Sequence, residues 1–209
     1  LTKKDIKYFQ TLHSLAFNTL GLKEENVMQD LNYKVIGETC GIQIKYASYE
    51  INNWNGIFSS DSEYLSLINL ARVRQISVMD QLDLNEHLSK IERDKLDAIE
   101  KEIKSYKDVY GLIDFTDMIQ KFLDKNVTPD FDVIFVDEAQ DLSLIQWAMI
   151  NKIEKDTNCD VWIAGDDDQA IFGWAGADVD SFIKYDAKEI PLKQSERVPS
   201  IIQEVALNV

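Results

Sequence analysis

The sequence has little cysteine, proline or glycine. Its two cysteines, Cys40 and Cys159, lie far apart and match no metal-ligand or redox spacing, so we expect two reduced, buried thiols. Three prolines and eight glycines in 209 residues leave no long flexible linker, and no internal repeat is present. A disulfide-stabilised or repeat architecture is therefore excluded.

Long hydrophobic runs are also missing. No apolar run approaches the roughly 20 residues that a membrane-spanning helix needs. The first residues, LTKKDIKYFQ, lack the apolar core and the cleavage site of a signal peptide. The sequence therefore predicts a cytoplasmic protein with no membrane partner. The chain begins at Leu1 and not at a methionine, which we interpret as the sign of a fragment.

Positive charge is scarce as well, since the formal net charge is -15. Phosphate binding requires clustered Lys and Arg, so this charge argues against nucleic-acid binding over the whole surface. A local nucleic-acid site is compatible with it. Between Asp160 and Asp186, seven Asp accompany one Lys. This pattern is typical of a cation site or of a solvated loop.

Apolar spacing indicates helices in the first half of the chain. In the segment 5–20, apolar residues recur at helical spacing up to Gly21, which predicts a helix around the tetrapeptide TLHS. A short helix that ends at Gly41 is expected next. From residue 62 to 110 the pattern is helical and stops at Gly111, which predicts a helical hairpin with a charged, solvated outer face.

Beyond Gly111 the pattern changes to alternating strands and helices. Residues 133–136 and 161–164 are short apolar runs, as expected of strands that are buried on both faces. Between them we expect a helix that is capped by Ser143. A strand, helix and strand with short joins predict two parallel strands with a right-handed crossover and a ligand site beyond their carboxyl ends.

Four carboxylates surround the first strand in the stretch FDVIFVDEAQD, residues 131–141. Asp137 and Glu138 follow the strand directly, where α/β folds bind nucleotide phosphates and their metal. An Asp there can hold Mg²⁺ together with waters and phosphate oxygens, and the adjacent Glu can deprotonate a water that attacks a γ-phosphate. From these residues alone, an alternative to a catalytic site is that Asp137 and Asp141 only cap a helix or form a turn.

The second strand is followed by GDDDQAIFGWAGAD, residues 165–178, which has too much Gly and Asp for simple core packing. Gln169 carries a neutral amide that can contact a phosphate oxygen. Phe172 and Trp174 flank Gly173, an arrangement that suits stacking on nucleic-acid bases. The alternative for these aromatic residues is a hydrophobic plug beneath a loop.

Together these segments resemble the UvrD/PcrA/Rep family of superfamily 1 DNA helicases. VDEAQD (136–141) is similar to the family's DExx box, AGDDDQAIFGWAGAD (164–178) to its third motif, and LKQSERVP (192–199) to its fourth. TLHS (11–14) is similar to the T-x-H-S/G element. IDFTDMI (113–119) is similar to the segment that re-enters the first motor domain after its helical insertion.

The resemblance implies a fold and a division into domains. It predicts an α/β chain that holds part of a RecA-like P-loop NTPase domain with a parallel sheet, plus an inserted helical subdomain. Residues 1–21 and 111–209 would belong to the RecA-like motor domain. Residues 22–110, which share the layout of the family more than its motifs, would form the helical insertion subdomain.

The resemblance also implies roles at a nucleotide site that binds ATP and Mg²⁺. Asp137 would position the Mg²⁺, and Glu138 would be the catalytic base. Gln169 would sense the γ-phosphate, and Arg197 would stabilise the charge on that phosphate in the transition state.

Four further residues would bind DNA. The resemblance places Thr11 and His13 at the DNA backbone, and Phe172 and Trp174 in stacking contacts with single-stranded bases. Without the motif match, a core or capping position is the favoured interpretation for His13.

Three features depart from the family pattern. The sequence contains no GxxxxGK[ST], so the phosphate-cradling loop and its Lys are missing, and we interpret the chain as an internal piece. Ala175 stands where relatives usually carry Arg, which removes one expected DNA contact. Glu196 stands where the family commonly has an aromatic residue that stacks on adenine, which argues against base recognition there.

The leading hypothesis is an ATP-driven motor that moves on single-stranded DNA, 3′ to 5′ by family analogy, and separates duplex DNA. The remaining helicase domains would lie in the parent chain, and we expect this fragment alone not to hydrolyse ATP. Two alternatives stay open. One is a non-catalytic DNA-binding or docking module derived from a helicase, and the other is a metal-dependent phosphohydrolase that uses Asp137, Asp166 and Asp168.

Overall fold

The structure is a computed structural model that describes residues 9–49, 58–85, 88, 90–192, 198–199, 201–202 and 205. The helices are α1 (Leu12–Thr19), α2 (Asp30–Thr39), α3 (Glu63–Val73), α4 (Val78–Leu84), α5 (Arg93–Tyr110), α6 (Phe115–Asp124), α7 (Leu144–Thr157) and α8 (Val179–Ile183). The strands are β1 (Ala47–Tyr49), β2 (Phe58–Ser60), β3 (Val133–Val136) and β4 (Asp160–Ile163). Within the described residues, no helix combines the length and the apolar character needed to cross a membrane.

Helix α1 begins at a capping hydroxyl. Thr11 is the N-cap residue, and its Oγ1 accepts a hydrogen bond from the backbone N of Ser14 at 3.2 Å. The chain turns away after the helix at Gly21, whose φ of +65° lies in the left-handed region that favours glycine. The helix predicted around TLHS is confirmed, and it starts at Leu12.

Helices α2 to α5 and the antiparallel pair β1–β2 form a lobe with its own hydrophobic core. The 18-residue helix α5 buries Leu96, Ile99 and Ile103 against this core and ends at Gly111. The shorter helix α2 ends just before Gly41. The predicted helices that end at Gly41 and Gly111 are therefore confirmed.

The chain enters and leaves this lobe at one place. Val27, just before the lobe, forms a parallel bridge with Ile113, just after it. The backbone N of Met28 donates to the carbonyl oxygen of Ile113 at 2.8 Å, and the N of Ile113 donates to the carbonyl oxygen of Asn26 at 2.8 Å. The lobe is thus an insertion in a second body, which contains α1, α6 and α7.

The second body has a core made by α1, α6, α7 and one face of the parallel sheet. Its buried residues include Leu15, Ile119, Phe122, Ile145, Met149 and Ile153. The predicted cap of α7 is confirmed, because Ser143 is the N-cap residue and its backbone N donates to Oε1 of Gln146 at 2.8 Å. Both cysteines are free. Cys159 is buried as expected, whereas Cys40 is only half-buried.

Strands β3 and β4 pair in parallel, with Val133 opposite Asp160 and Val136 opposite Ile163. This confirms the predicted parallel arrangement. The prediction that both faces of these strands are buried is wrong, because Phe135 and Trp162 are 78% and 54% exposed. Successive side chains of a strand point to opposite faces, and no described element covers the face that carries these two rings.

Four charged side chains join the lobe to the second body. Arg72 of α3 and Lys107 of α5 meet Asp114 and Asp117 at the start of α6, with nitrogen to oxygen distances of 2.6 Å for Arg72 to Asp114 and 2.7 Å for Lys107 to Asp117. Burial opposes the ionisation of Asp114, but the charges of Arg72 and Lys107 outweigh it and hold the pKa of this carboxyl well below its usual range.

Candidate nucleotide and nucleic-acid site

The carboxyl ends of β3 and β4 lie side by side and are joined by backbone hydrogen bonds. The N of Ala164 donates to the carbonyl oxygen of Val136 at 2.8 Å, and the N of Ala139 donates to that of Ala164 at 3.0 Å. The segments that follow the two strands therefore start from the same edge of the sheet. This edge is where α/β proteins with parallel strands bind their ligands.

Asp137 and Glu138 lie at this edge, and both are exposed. The backbone N of Glu138 donates to Oδ1 of Asp137 at 3.0 Å. Glu138 has φ +50° and ψ +43°, a left-handed conformation that is uncommon for residues other than glycine. Such backbone strain costs on the order of 1 kcal/mol or more and concentrates at functional sites. The strained residue here is the predicted catalytic base.

Gln140 connects the two strand ends and is not among the site residues predicted from the sequence. Its side chain is almost fully buried, at 2% exposure. Nε2 donates to Oε2 of Glu138 at 2.9 Å, and Oε1 accepts from the backbone N of Asp166 at 3.1 Å. The carboxylate of Asp166 in turn accepts a hydrogen bond from the side-chain amide of Gln169. One hydrogen-bonded chain therefore runs from Glu138 to Gln169.

Gly165 makes room for this chain. A Cβ at this position would lie 2.7 Å from Oε1 of Gln140 and 3.0 Å from the ring of Phe182. We expect Gly165→Ala to displace Gln140 and to lower the free energy of unfolding, measured by urea titration, by about 1–3 kcal/mol. Gly173→Ala is the matched control, because a Cβ there meets no atom within 4 Å. Equal stability of the two variants would contradict this account of Gln140.

The acidic side chains at this edge do not form a metal site on their own. Asp166 uses Oδ1 to accept from the backbone N of Asp168 at 3.2 Å and Oδ2 to accept from Gln169. In the described ranges, no group of three or more His, Cys, Asp or Glu side chains could hold a metal ion. The three-carboxylate site of the phosphohydrolase alternative is therefore not formed. Exposed Asp137 fits a Mg²⁺ that takes its other ligands from water and nucleotide phosphates.

The loop after β4 carries the aromatic pair. Trp174 is 69% exposed and Phe172 is half-buried, with ring centroids 6.4 Å apart at an interplanar angle of 49°. Trp174 therefore does not plug the core. Its indole borders a pocket of about 270 Å³ that is also lined by Phe58, Ser66 and Asn69 of the lobe. The exposed ring and the adjoining pocket leave space for a planar ligand.

The loop and the lobe approach each other closely at Gly176. This residue has φ +101°, and a Cβ on it would lie 2.5 Å from Cγ2 of Val73 in α3. Only glycine combines this conformation with this contact. The position of the aromatic pair is therefore fixed by the lobe as well as by the sheet.

His13 and Phe172 both line a narrow pocket of about 30 Å³. The His13 ring packs on Phe115 with centroids 5.5 Å apart. Burial lowers the pKa of His13 to about 4, although the charge of Asp114 partly opposes this shift, so the ring is neutral at pH 7. Thr11 uses its hydroxyl to cap α1. Of the two residues predicted at the DNA backbone, His13 lines this pocket together with Phe172, and Thr11 is not among the residues that line it.

The remaining predicted residue, Arg197, lies outside the described residues, as does Glu196. The structure thus brings together Asp137, Glu138 and Gln169 at one edge and Phe172 with Trp174 on the adjoining loop.

Comparison with known proteins identifies the family. The model of the UvrD/REP helicase N-terminal domain matches residues 4–189. DNA helicase II of Escherichia coli (strain K12) is 36% identical over 110 residues, which is 46% of this chain and 15% of that protein. DNA helicase II of Haemophilus influenzae is 33% identical over 100 residues, which is 42% of this chain and 14% of that protein.

A third relative is the ATP-dependent DNA helicase PcrA of Staphylococcus epidermidis (strain ATCC 35984), with 35% identity over 72 residues, 32% of this chain and 10% of that protein. The matched segments thus span no more than about 15% of the length of these relatives. The family match confirms the resemblance stated from the motifs and the fold class, which is α/β with part of a RecA-like domain. The chain belongs to the UvrD/REP helicase family, and it corresponds to the N-terminal domain of that family.

Proposed function

We propose that this chain is part of an ATP-driven motor that moves along single-stranded DNA and separates duplex DNA. The relatives are named DNA helicases, and one is named ATP-dependent. The observation that carries the proposal is the hydrogen-bonded chain from Glu138 through Gln140 and Asp166 to Gln169, because it ends on the loop that bears Trp174. A change at the nucleotide can therefore reach the DNA-facing ring through a few bonded groups.

At the nucleotide site, each side chain has one task. Asp137 holds the Mg²⁺ of ATP, and the bound ion neutralises charge on the phosphates. Glu138 accepts the proton of the attacking water, and Gln140 orients the Glu138 carboxylate. Gln169 contacts the γ-phosphate and exchanges that contact for Asp166 when the phosphate has gone. Arg197 stabilises the charge that develops on the transferred phosphate.

At the DNA site, Trp174 and Phe172 stack on bases and His13 contacts the backbone as a neutral donor. Stacking is worth about 1–3 kcal/mol per base and tolerates any sequence, as a translocating motor requires. Thr11 supports the same contact by capping the helix that carries His13. Travel from 3′ to 5′ is part of the proposal by family analogy.

In this proposal the two bodies of the fold are two parts of the motor. Residues 1–21 and 111–209 form part of the RecA-like motor domain, and residues 22–110 form the helical insertion. The phosphate-cradling loop and the second motor domain belong to the parent protein, so these 209 residues alone do not hydrolyse ATP.

Binding of single-stranded DNA tests the proposal through tryptophan fluorescence. Titration of the protein with a single-stranded oligonucleotide is expected to quench its emission, because a base stacks on the Trp174 indole. Trp174→Phe should remove most of this quenching. Trp162→Phe is the matched control, because Trp162 is also exposed but lies on the outer face of the sheet. Quenching that survives in Trp174→Phe and disappears in Trp162→Phe would overturn the proposed DNA face.

A further inference from the structure

Arg74, the C-cap residue of α3, touches the aromatic loop from the lobe. Its Nη2 donates to the carbonyl oxygen of Gly173 at 2.9 Å, and its Nη1 donates to Oε1 of Gln81 at 3.2 Å. Gly173 separates Phe172 from Trp174 in the sequence. The guanidinium of Arg74 is therefore bonded to the peptide that links the two rings.

The charge of Arg74 is not neutralised by a carboxylate of the described residues. Both of its hydrogen-bond acceptors are neutral oxygens. Arg72 and Arg93, by contrast, form ion pairs with Asp114 and Asp83. A guanidinium with no carboxylate partner among the described residues is notable in a chain that has 37 acidic residues against 22 basic ones. Neutral donors could make the same two bonds, so these contacts do not account for the positive charge.

The guanidinium of Arg74 also has N–H groups that these two hydrogen bonds do not use. Arginine presents five N–H groups in a planar fork that matches phosphate geometry, and the two contacts described use one N–H on each terminal nitrogen. Arg74 is half-buried, so part of its surface reaches solvent. It can keep its bond to Gly173 and still donate to an anion beside the loop.

The charges around Trp174 favour one placement of a bound strand. The pocket beside the indole is lined by Asp61 and Glu63, which repel phosphates but not neutral bases. Arg74 does not line this pocket and attaches to the loop at Gly173. Proteins that bind single strands combine aromatic platforms for bases with cations that follow the backbone.

We propose that Arg74 binds a backbone phosphate of the single strand whose bases stack on Trp174, and that it sets the position of the aromatic loop for this contact. The inference rests on the proposed function, because it requires a single strand on this face. It gives the acidic chain a local cation at the point where the bases are bound. It also assigns to the helical lobe a direct part in holding the strand.

The test is the salt dependence of single-strand binding, measured by fluorescence anisotropy of a labelled oligo(dT) at several salt concentrations. Arg74→Gln keeps a donor for Gly173 but removes the charge. We expect its affinity at low salt to fall about tenfold. The slope of log K against log salt should become shallower by about 0.7, which corresponds to one phosphate contact on a single strand.

Two further variants test whether the effect comes from the positive charge at position 74. Arg74→Lys keeps the charge and should keep the slope of the unaltered protein. Arg93→Gln, which removes an arginine of the lobe that is already paired with Asp83, should change neither the affinity nor the slope.

The outcomes distinguish this inference from the proposed function. Absence of oligonucleotide binding by the unaltered protein overturns both. If the unaltered protein binds but Arg74→Gln retains the full slope, the phosphate contact is overturned while the DNA face stands. A loss of affinity in Arg74→Gln at constant slope has the same meaning, because it shows that Arg74 acts on the loop alone.

Discussion

Substitution of Glu138 by Gln in the full-length protein is expected to lower kcat for DNA-stimulated ATP hydrolysis by about two to four orders of magnitude. Gln has nearly the same shape as Glu but cannot accept the proton of the attacking water. Its side-chain oxygen can still accept the hydrogen bond that Nε2 of Gln140 gives to Glu138 at 2.9 Å. The binding of ATP should therefore change little, and the loss should appear in kcat.

The matched control for Glu138→Gln is Asp167→Asn. Asp167 is an exposed acid on the same edge, and its side chain has no part in the hydrogen-bonded chain from Glu138 to Gln169. This control should keep kcat within about threefold, because Asp167 lies outside that chain and the charge of an exposed carboxylate is screened by water and salt. A Glu138→Gln protein that retains a tenth or more of the original kcat would show that another group accepts the proton.

Removal of the Asp114 carboxylate is expected to have the largest effect on stability. The side chain of Asp114 is 2% exposed and meets both Arg72 and Lys107. Asp114→Ala leaves these two cations partly uncompensated and also deletes the N-cap of α6. Breaking a buried ion pair in this way costs about 3–5 kcal/mol. Urea titration should show this loss in the free energy of unfolding.

Two variants define the origin of that loss. Asp97→Asn breaks an exposed ion pair with Lys101 and should cost at most about 0.5 kcal/mol. Asp114→Asn keeps a capping oxygen but not the charge, so its stability should lie between those of Asp114→Ala and the unaltered protein. If Asp114→Ala were as stable as Asp97→Asn, the four charged side chains would not hold the lobe to the second body.

Features that depend on neighbouring residues in the chain could be predicted from the sequence. Ser143 before an apolar helix and glycine at the ends of α1, α2 and α5 act through local backbone geometry, which the sequence alone determines. The convergence of Asp137 and Gln169 followed from one topological fact, the parallel order of β3 and β4, because parallel strands share a carboxyl edge.

Side-chain contacts between distant segments could not be predicted. Gln140 looks like one more polar residue in DEAQD, and its bridging role depends on the space left by Gly165. Arg74 meets Gly173 across 99 positions of sequence, which no periodicity reveals. The exposure of Phe135 was mispredicted because an apolar run does not show whether another element covers the strand. An amide between carboxylates just after an apolar strand was the available signal for Gln140.

The central claim is that the loop after β4 joins the nucleotide to the DNA, with Gln169 facing one and Trp174 the other. Its most direct test is the affinity of the full-length protein for single-stranded DNA with and without a non-hydrolysable Mg²⁺–ATP analogue. We predict a change of at least about fivefold in Kd, and Gln169→Ala should abolish that change. Equal DNA affinity with and without the analogue, in a protein shown to bind both, would contradict the account.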